Sequence, residues 1–238
     1  MTKKPLIAII MDEDTSKGGR FYEANKGYFN SVYAAGGVPI GIPYFKEAGE
    51  FALANCDGLM STGARVRFAD SAYIDGEQSN SPDSDRYEFE SELVKKWVDA
   101  DRPYLGICNG MQVLGVAYGA KMTYRLAHHL KTAINHNLKE TLHNVKIVPD
   151  THLAQMIGVP EIVTNSHHNE GFLQASDDVI FSAFAEDGAV EALEIKGKQF
   201  AIGVQWHPEL LWPKSDYKDD LKTASQPIFE KFVSSCCF

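Results

Sequence analysis

The segment Gly106-Ile107-Cys108-Asn109-Gly110 holds the residue best placed to do chemistry. It lies between an apolar run that reads as a strand and a stretch that reads as a helix, the setting of a nucleophile elbow with Cys in place of Ser. Small flanking residues let chain segments approach a tight strand-to-helix turn. A helix beginning there would point its N-terminus at the sulfur and favour the thiolate. The Asn109 N–H would face a developing oxyanion. Taken alone, the pattern also fits a buried structural cysteine between two turn glycines. Its place at the carboxyl end of a central strand, where open α/β sheets bind ligands, favours the functional reading. Cys56 reads as core, and Cys236 and Cys237 as tail residues without a role.

A cysteine nucleophile needs a base and a group that orients it. Of eight histidines, His128, His129, His136, His143 and His152 read as surface or hydrogen-bonded loop residues. His167 and His168 follow Asn165-Ser166 at a strand end and would line a site. His207 stands apart, in Gly203-Val204-Gln205-Trp206-His207-Pro208-Glu209. In an extended chain, residues i and i+2 face one side. Glu209 would then hold one imidazole nitrogen while the other faces Cys108. No H-E-x-x-H or comparable ligand spacing is present, so no metal and no cofactor are expected.

These residues need a scaffold. Leu6–Met11, Val38–Ile42, Gly58–Ser61 and Pro103–Ile107 read as strands. They alternate with helices expected over Tyr22–Ala35, Phe45–Asn55, Ser84–Ala100 and Met111–Tyr118. That alternation implies βαβ units and a mostly parallel sheet. Residues Arg65 to Asp83 read as a surface loop. Further on, Val145–Val148, Glu161–Thr164, Val179–Ala183, Val190–Ile195 and Phe200–Val204 are closely spaced strand candidates, suited to antiparallel pairing. Pro227–Val233 reads as a closing helix. The expectation is one α/β domain over residues 1–238: a mostly parallel central sheet flanked by helices, with added antiparallel strands.

Composition narrows the function. Lys plus Arg is 23 and Asp plus Glu is 32, a formal net charge of −9, which argues against nucleic acid or an anionic membrane as partner. No apolar run approaches the ~18–20 residues of a transmembrane helix. The first apolar stretch is too short for a signal-peptide core, so the cytoplasm is the expected compartment, with thiols reduced.

Gly-Ile-Cys-x-Gly-Met-Gln at 106–112 and Gly-Val-Gln-Trp-His-Pro-Glu at 203–209 together resemble the class I glutamine amidotransferase superfamily. Asp85-Arg86, Asn165-Ser166-His167-His168, Asp187-Gly188 with Val190-Glu191-Ala192, and Ala35-Gly36-Gly37-Val38-Pro39 resemble one branch of it, the γ-glutamyl-γ-aminobutyrate hydrolase-like, peptidase C26-type enzymes. The resemblance runs from about residue 5 to 235. It implies a flavodoxin-like fold, a small-molecule γ-glutamyl amide substrate, and a triad of Cys108, His207 and Glu209. It implies an oxyanion hole from Gly63 and Asn109, and substrate contacts from Gln112, Ser166 and His168. A homodimer is common in that family. Thr62-Gly63-Ala64 stands where the family has Pro-Gly and a small residue, and Asn109 where the branch often has Arg. Three readings follow: a stand-alone γ-glutamyl hydrolase, the glutaminase subunit of a two-component amidotransferase, and a catalytically silent binding protein on the same fold.

Overall fold

The computed structural model describes residues 3–14, 21–74, 76–130, 134–138, 141–213 and 219–237. In chain order the strands are β1 (Leu6–Ile10), β2 (Asp12–Glu13), β3 (Tyr22–Glu23), β4 (Val38–Ile42), β5 (Gly58–Ser61), β6 (Tyr104–Ile107), β7 (Lys121–Thr123), β8 (Leu142–Ile147), β9 (Glu161–Asn165), β10 (Gly171–Gln174), β11 (Val179–Ala185), β12 (Val190–Ile195) and β13 (Ala201–Val204). The helices are α1 (Lys26–Ala34), α2 (Lys46–Asn55), α3 (Arg86–Asp99), α4 (Asn109–Ala117), α5 (Leu126–Leu130), α6 (His152–Ile157), α7 (Asp219–Lys222) and α8 (Gln226–Ser235).

Nine strands form one mixed sheet in the order β4-β1-β5-β6-β13-β12-β11-β8-β9. From β4 to β13 every neighbouring pair is parallel. From β13 to β9 every pair is antiparallel. Parallel neighbours need long crossovers, which α1, α2 and α3 supply. Antiparallel neighbours need only tight turns, and Gly188 and Gly197 take positive φ of 90° and 75° in two of them.

Side chains on a strand alternate between faces. Ile7 and Ile9 of β1 therefore join a core with Val32 of α1, Leu153 of α6 and Phe229 of α8. Ala8 and Ile10 join the opposite core, with Ala52 of α2, Trp97 of α3 and Val113 of α4.

Several elements differ from expectation. The helix expected from Tyr22 begins at Lys26, because the Asn25 side chain accepts the Gly27 N–H and caps it. Tyr22–Glu23 pairs with β2 instead. Among its described residues, the 65–83 segment holds one 3₁₀ turn, Asp70–Ala72, and an isolated bridge from Tyr73 to Met122, and is otherwise irregular. It is not merely surface, since Val66, Phe68, Ala72 and Tyr73 are buried in the core beneath it. Cys236 is no loose tail residue: it is buried on α8, and burial pushes its thiol well above the ordinary range. All four cysteines are free. None of the described helices is long and apolar enough to cross a membrane.

Candidate active site

Three adjacent parallel strands, β5, β6 and β13, end at one edge of the sheet, with Ser61 level with Gly106 and Ile107 level with Val204. Cys108 follows β6 directly, and its N–H donates to the Val204 carbonyl over 2.8 Å. Its backbone lies at φ 53°, ψ −103°, and α4 begins at the next residue. A non-glycine residue at positive φ is uncommon and costs free energy. The close seat of α4 needs its glycines. A Cβ on Gly106 would lie 2.5 Å from the Gly110 carbonyl carbon, and one on Gly110 would lie 2.6 Å from the Ser61 carbonyl oxygen.

His207 follows β13 and faces the sulfur. Its Nδ1 lies 2.8 Å from Glu209 Oε1, and the ring lies close enough to Cys108 for the sulfur's charge to act on it. The pairing with Glu209 was expected from an extended chain. The chain is not extended there: Pro208–Leu210 form a 3₁₀ turn with Pro at its start, and the turn brings the carboxylate back to the ring. Burial works against the imidazolium, but the charges of Glu209 and Cys108 outweigh it and push His207 well above its ordinary value. Asn165 clamps the His207 backbone on both sides. Its Oδ1 accepts the His207 N–H at 2.9 Å and its Nδ2 donates to the His207 carbonyl at 3.0 Å.

The loop after β5 closes the group. A Cβ on Gly63 would meet His207 Cε1 at 2.7 Å and Cys108 Cβ at 3.5 Å, so only glycine leaves room here. The Gly63 N–H donates to the Tyr28 hydroxyl over 2.9 Å. Cys108, His207, Gly63 and Asn109 line a cleft of about 990 Å³, together with Gln112, Arg65, Arg125 and His168.

Residues 5–209 match the Peptidase C26 family model. This chain belongs to the Peptidase C26 family. Similar relatives include the γ-glutamyl-γ-aminobutyrate hydrolase PuuD of Escherichia coli K12, 28% identical over 249 residues, which spans 98% of this chain and 93% of the relative. Protein NtpR of Enterococcus hirae is 29% identical over 254 residues, spanning 96% of this chain and 98% of the relative. The glutaminase domain of Trypanosoma brucei CTPS, solved with bound acivicin, shares the fold. It superposes with a TM-score of 0.63 at 15% identity, over 98% of this chain and 93% of that one. The architecture is that of class I glutamine amidotransferases.

The remaining candidates of this Peptidase C26 chain are placed unevenly. Gln112 reaches the cleft, but its Nε2 is held by the Gln205 side-chain oxygen at 3.1 Å and the Glu170 carbonyl at 3.3 Å. His168 is on the cleft wall. Ser166 is not: it is buried, and its hydroxyl donates to the His136 carbonyl over 2.9 Å.

Other residues were not singled out from sequence. Gln205 Nε2 stands 3.5 Å from the Cys108 sulfur. Arg86 is fully buried. It donates to the Thr62 carbonyl (2.6 Å), Glu90 (2.7 Å) and Asp12 (3.2 Å), and so anchors the loop that carries Gly63. The signal was present: Arg86 and Glu90 share the helix face of Leu93, Val94 and Trp97, where an unpaired charge would be untenable.

Proposed function

We propose that this chain hydrolyses a γ-glutamyl amide through Cys108, His207 and Glu209. The observation that carries the reading is the line from the Glu209 carboxylate through the His207 ring to the Cys108 sulfur, on the wall of an open cleft. A protonated imidazole beside the sulfur favours the thiolate. The sulfur attacks the γ-carbonyl carbon, and the oxygen gains charge. The Asn109 N–H at the start of α4 serves that charge, joined by the Gly63 N–H once it leaves the Tyr28 hydroxyl. His207 gives its proton to the leaving amine, the C–N bond breaks, and a γ-glutamyl thioester remains. His207 then takes a proton from water, whose oxygen attacks the thioester. Glutamate leaves and the thiol is restored. Glu209 holds the ring's orientation and stabilises its cation. Gln112 and His168 supply contacts to the glutamyl part.

The γ-glutamyl-γ-aminobutyrate hydrolases among the relatives support the substrate class. The test is a panel of γ-glutamyl amines and glutamine, followed by amine release and by mass spectrometry of the intact chain. Turnover of the panel with a γ-glutamyl adduct on the Cys108 peptide is expected. Turnover that survives Cys108→Ala would overturn the reading. Activity on glutamine alone, raised by a partner synthase, would replace it with the glutaminase-subunit reading.

A further inference from the structure

Beside the cleft, a second set of histidines surrounds a different carboxylate. Glu191 lies on β12, a strand buried along its whole length, and is itself fully buried. His143 comes from β8, His168 from the end of β9, and His136 from the segment 134–138. Glu191 Oε1 lies 3.2 Å from His143 Nε2, 3.4 Å from His168 Nε2 and 3.6 Å from His136 Nδ1. Yet both Glu191 oxygens, both His143 ring nitrogens and His168 Nε2 lack a well-aligned hydrogen bond, and His136 Nδ1 has one to the Ser166 hydroxyl at 3.2 Å. Buried polar groups that converge without hydrogen-bonding one another are costly.

The spacing suits a shared ion. For a tetrahedral ion with bonds of about 2.0–2.1 Å, neighbouring ligand atoms stand about 3.3–3.4 Å apart. Ligand atoms of His136, His143 and Glu191 all lie within 4.8 Å of one another, and His168 packs against the same carboxylate. An outer contact fits as well. A ligating histidine usually gives its second N–H to a carboxylate or carbonyl. His136 Nε2 meets Asp187 Oδ2 at 2.9 Å. One dication would also balance the two carboxylates, Glu191 and Asp187.

We infer that Glu191, His136 and His143 form a binding site for one divalent transition-metal ion of the zinc type, with His168 against the same carboxylate. Imidazole and carboxylate donors suit such ions. The site is separate from Cys108 and takes no part in attack on the amide. An ion there ties β8, β12 and the 134–138 segment together. Because His136 and His168 also line the cleft, it braces one wall of the substrate site.

The test uses tag-free Cys108→Ala protein, so that the thiol cannot bind the metal. Cobalt(II) is titrated first and zinc second. One saturable equivalent is expected, with the visible bands of low-coordinate cobalt and a rise in Tm on zinc addition. His143→Gln and Glu191→Gln should each weaken binding by roughly 10-fold or more, while His152→Gln, an exposed histidine outside the cluster, leaves it unchanged. Absence of saturable binding by the folded chain overturns the inference, as does binding untouched by both cluster variants. If both variants fail to fold, histidine-ring NMR of the Cys108→Ala chain decides. Zinc must shift the rings of His136 and His143, and rings that do not move overturn the site.

Discussion

Two histidine–glutamate groups sit within one cleft region, and they are built in opposite ways. His207 and Glu209 belong to one short segment, joined by a 3₁₀ turn. Glu191 gathers its histidines from three other segments of the chain. The first group opposes a sulfur and opens on the cleft, with the His207 side chain 12% exposed. The second closes around Glu191, at 0%, and only its His136 and His168 edge the cleft. A histidine's role is thus set by what its ring faces and whether substrate can reach it, not by having a carboxylate partner, which both groups provide.

The sharpest way to separate them is Cys108→Ala. Loss of kcat/KM by roughly 10⁴-fold or more is expected with γ-glutamyl p-nitroanilide, while Tm stays near that of the parent. Retained activity would dissolve the distinction. Next comes Glu209→Gln, expected to cut kcat by roughly 10²- to 10⁴-fold. Its pH profile carries more information. Glu209 raises the His207 pKa by stabilising the cation, and the proposed attacking pair needs that cation. Activity is therefore lost as pH rises through the His207 pKa, and removing the carboxylate moves this alkaline limb to lower pH by roughly 1 unit or more. A limb that stays put would detach Glu209 from the ring.

In the Glu191 group the expected change is mainly in stability. Glu191→Gln leaves buried imidazoles without their carboxylate and should cost roughly 3 kcal/mol in urea unfolding. The folded fraction should keep more kcat than Glu209→Gln does. The smallest effect belongs to Ser166→Ala. Losing a buried hydroxyl off the cleft wall should cost about 1 kcal/mol, with kcat/KM on the γ-glutamyl anilide nearly unchanged. A large rise in KM would return Ser166 to the substrate.

The same contrast governs what could be read in advance. β4 and β5 run over the residues expected of them, because each is an apolar run bounded by turn signals. Local spacing singles out Cys108 and His207 as candidates, and parallel register sets the strands before them side by side. Elements with weaker local signals were missed. α6 has only six residues, too few for a helical period to stand out, although Thr151 caps it and Gly158 ends it at positive φ. The β7–β10 ribbon joins two short segments far apart in sequence. Arg86, Asn165 and Gln205 were part of quoted motifs, but their contacts are non-local, and no spacing rule states that Asn165 should clamp His207. The histidines around Glu191 read as loop residues for the same reason.

The positive φ of Cys108 sets stability against activity. A side chain held there costs on the order of 1–3 kcal/mol, and the tight seat of α4 offers no easy relaxation. Glycine would relieve that cost but remove the thiol. Selection or design for thermal stability alone would therefore tend to erase the proposed nucleophile at this position. A hyperstable variant of this chain should be sequenced at residue 108 before its activity is assayed.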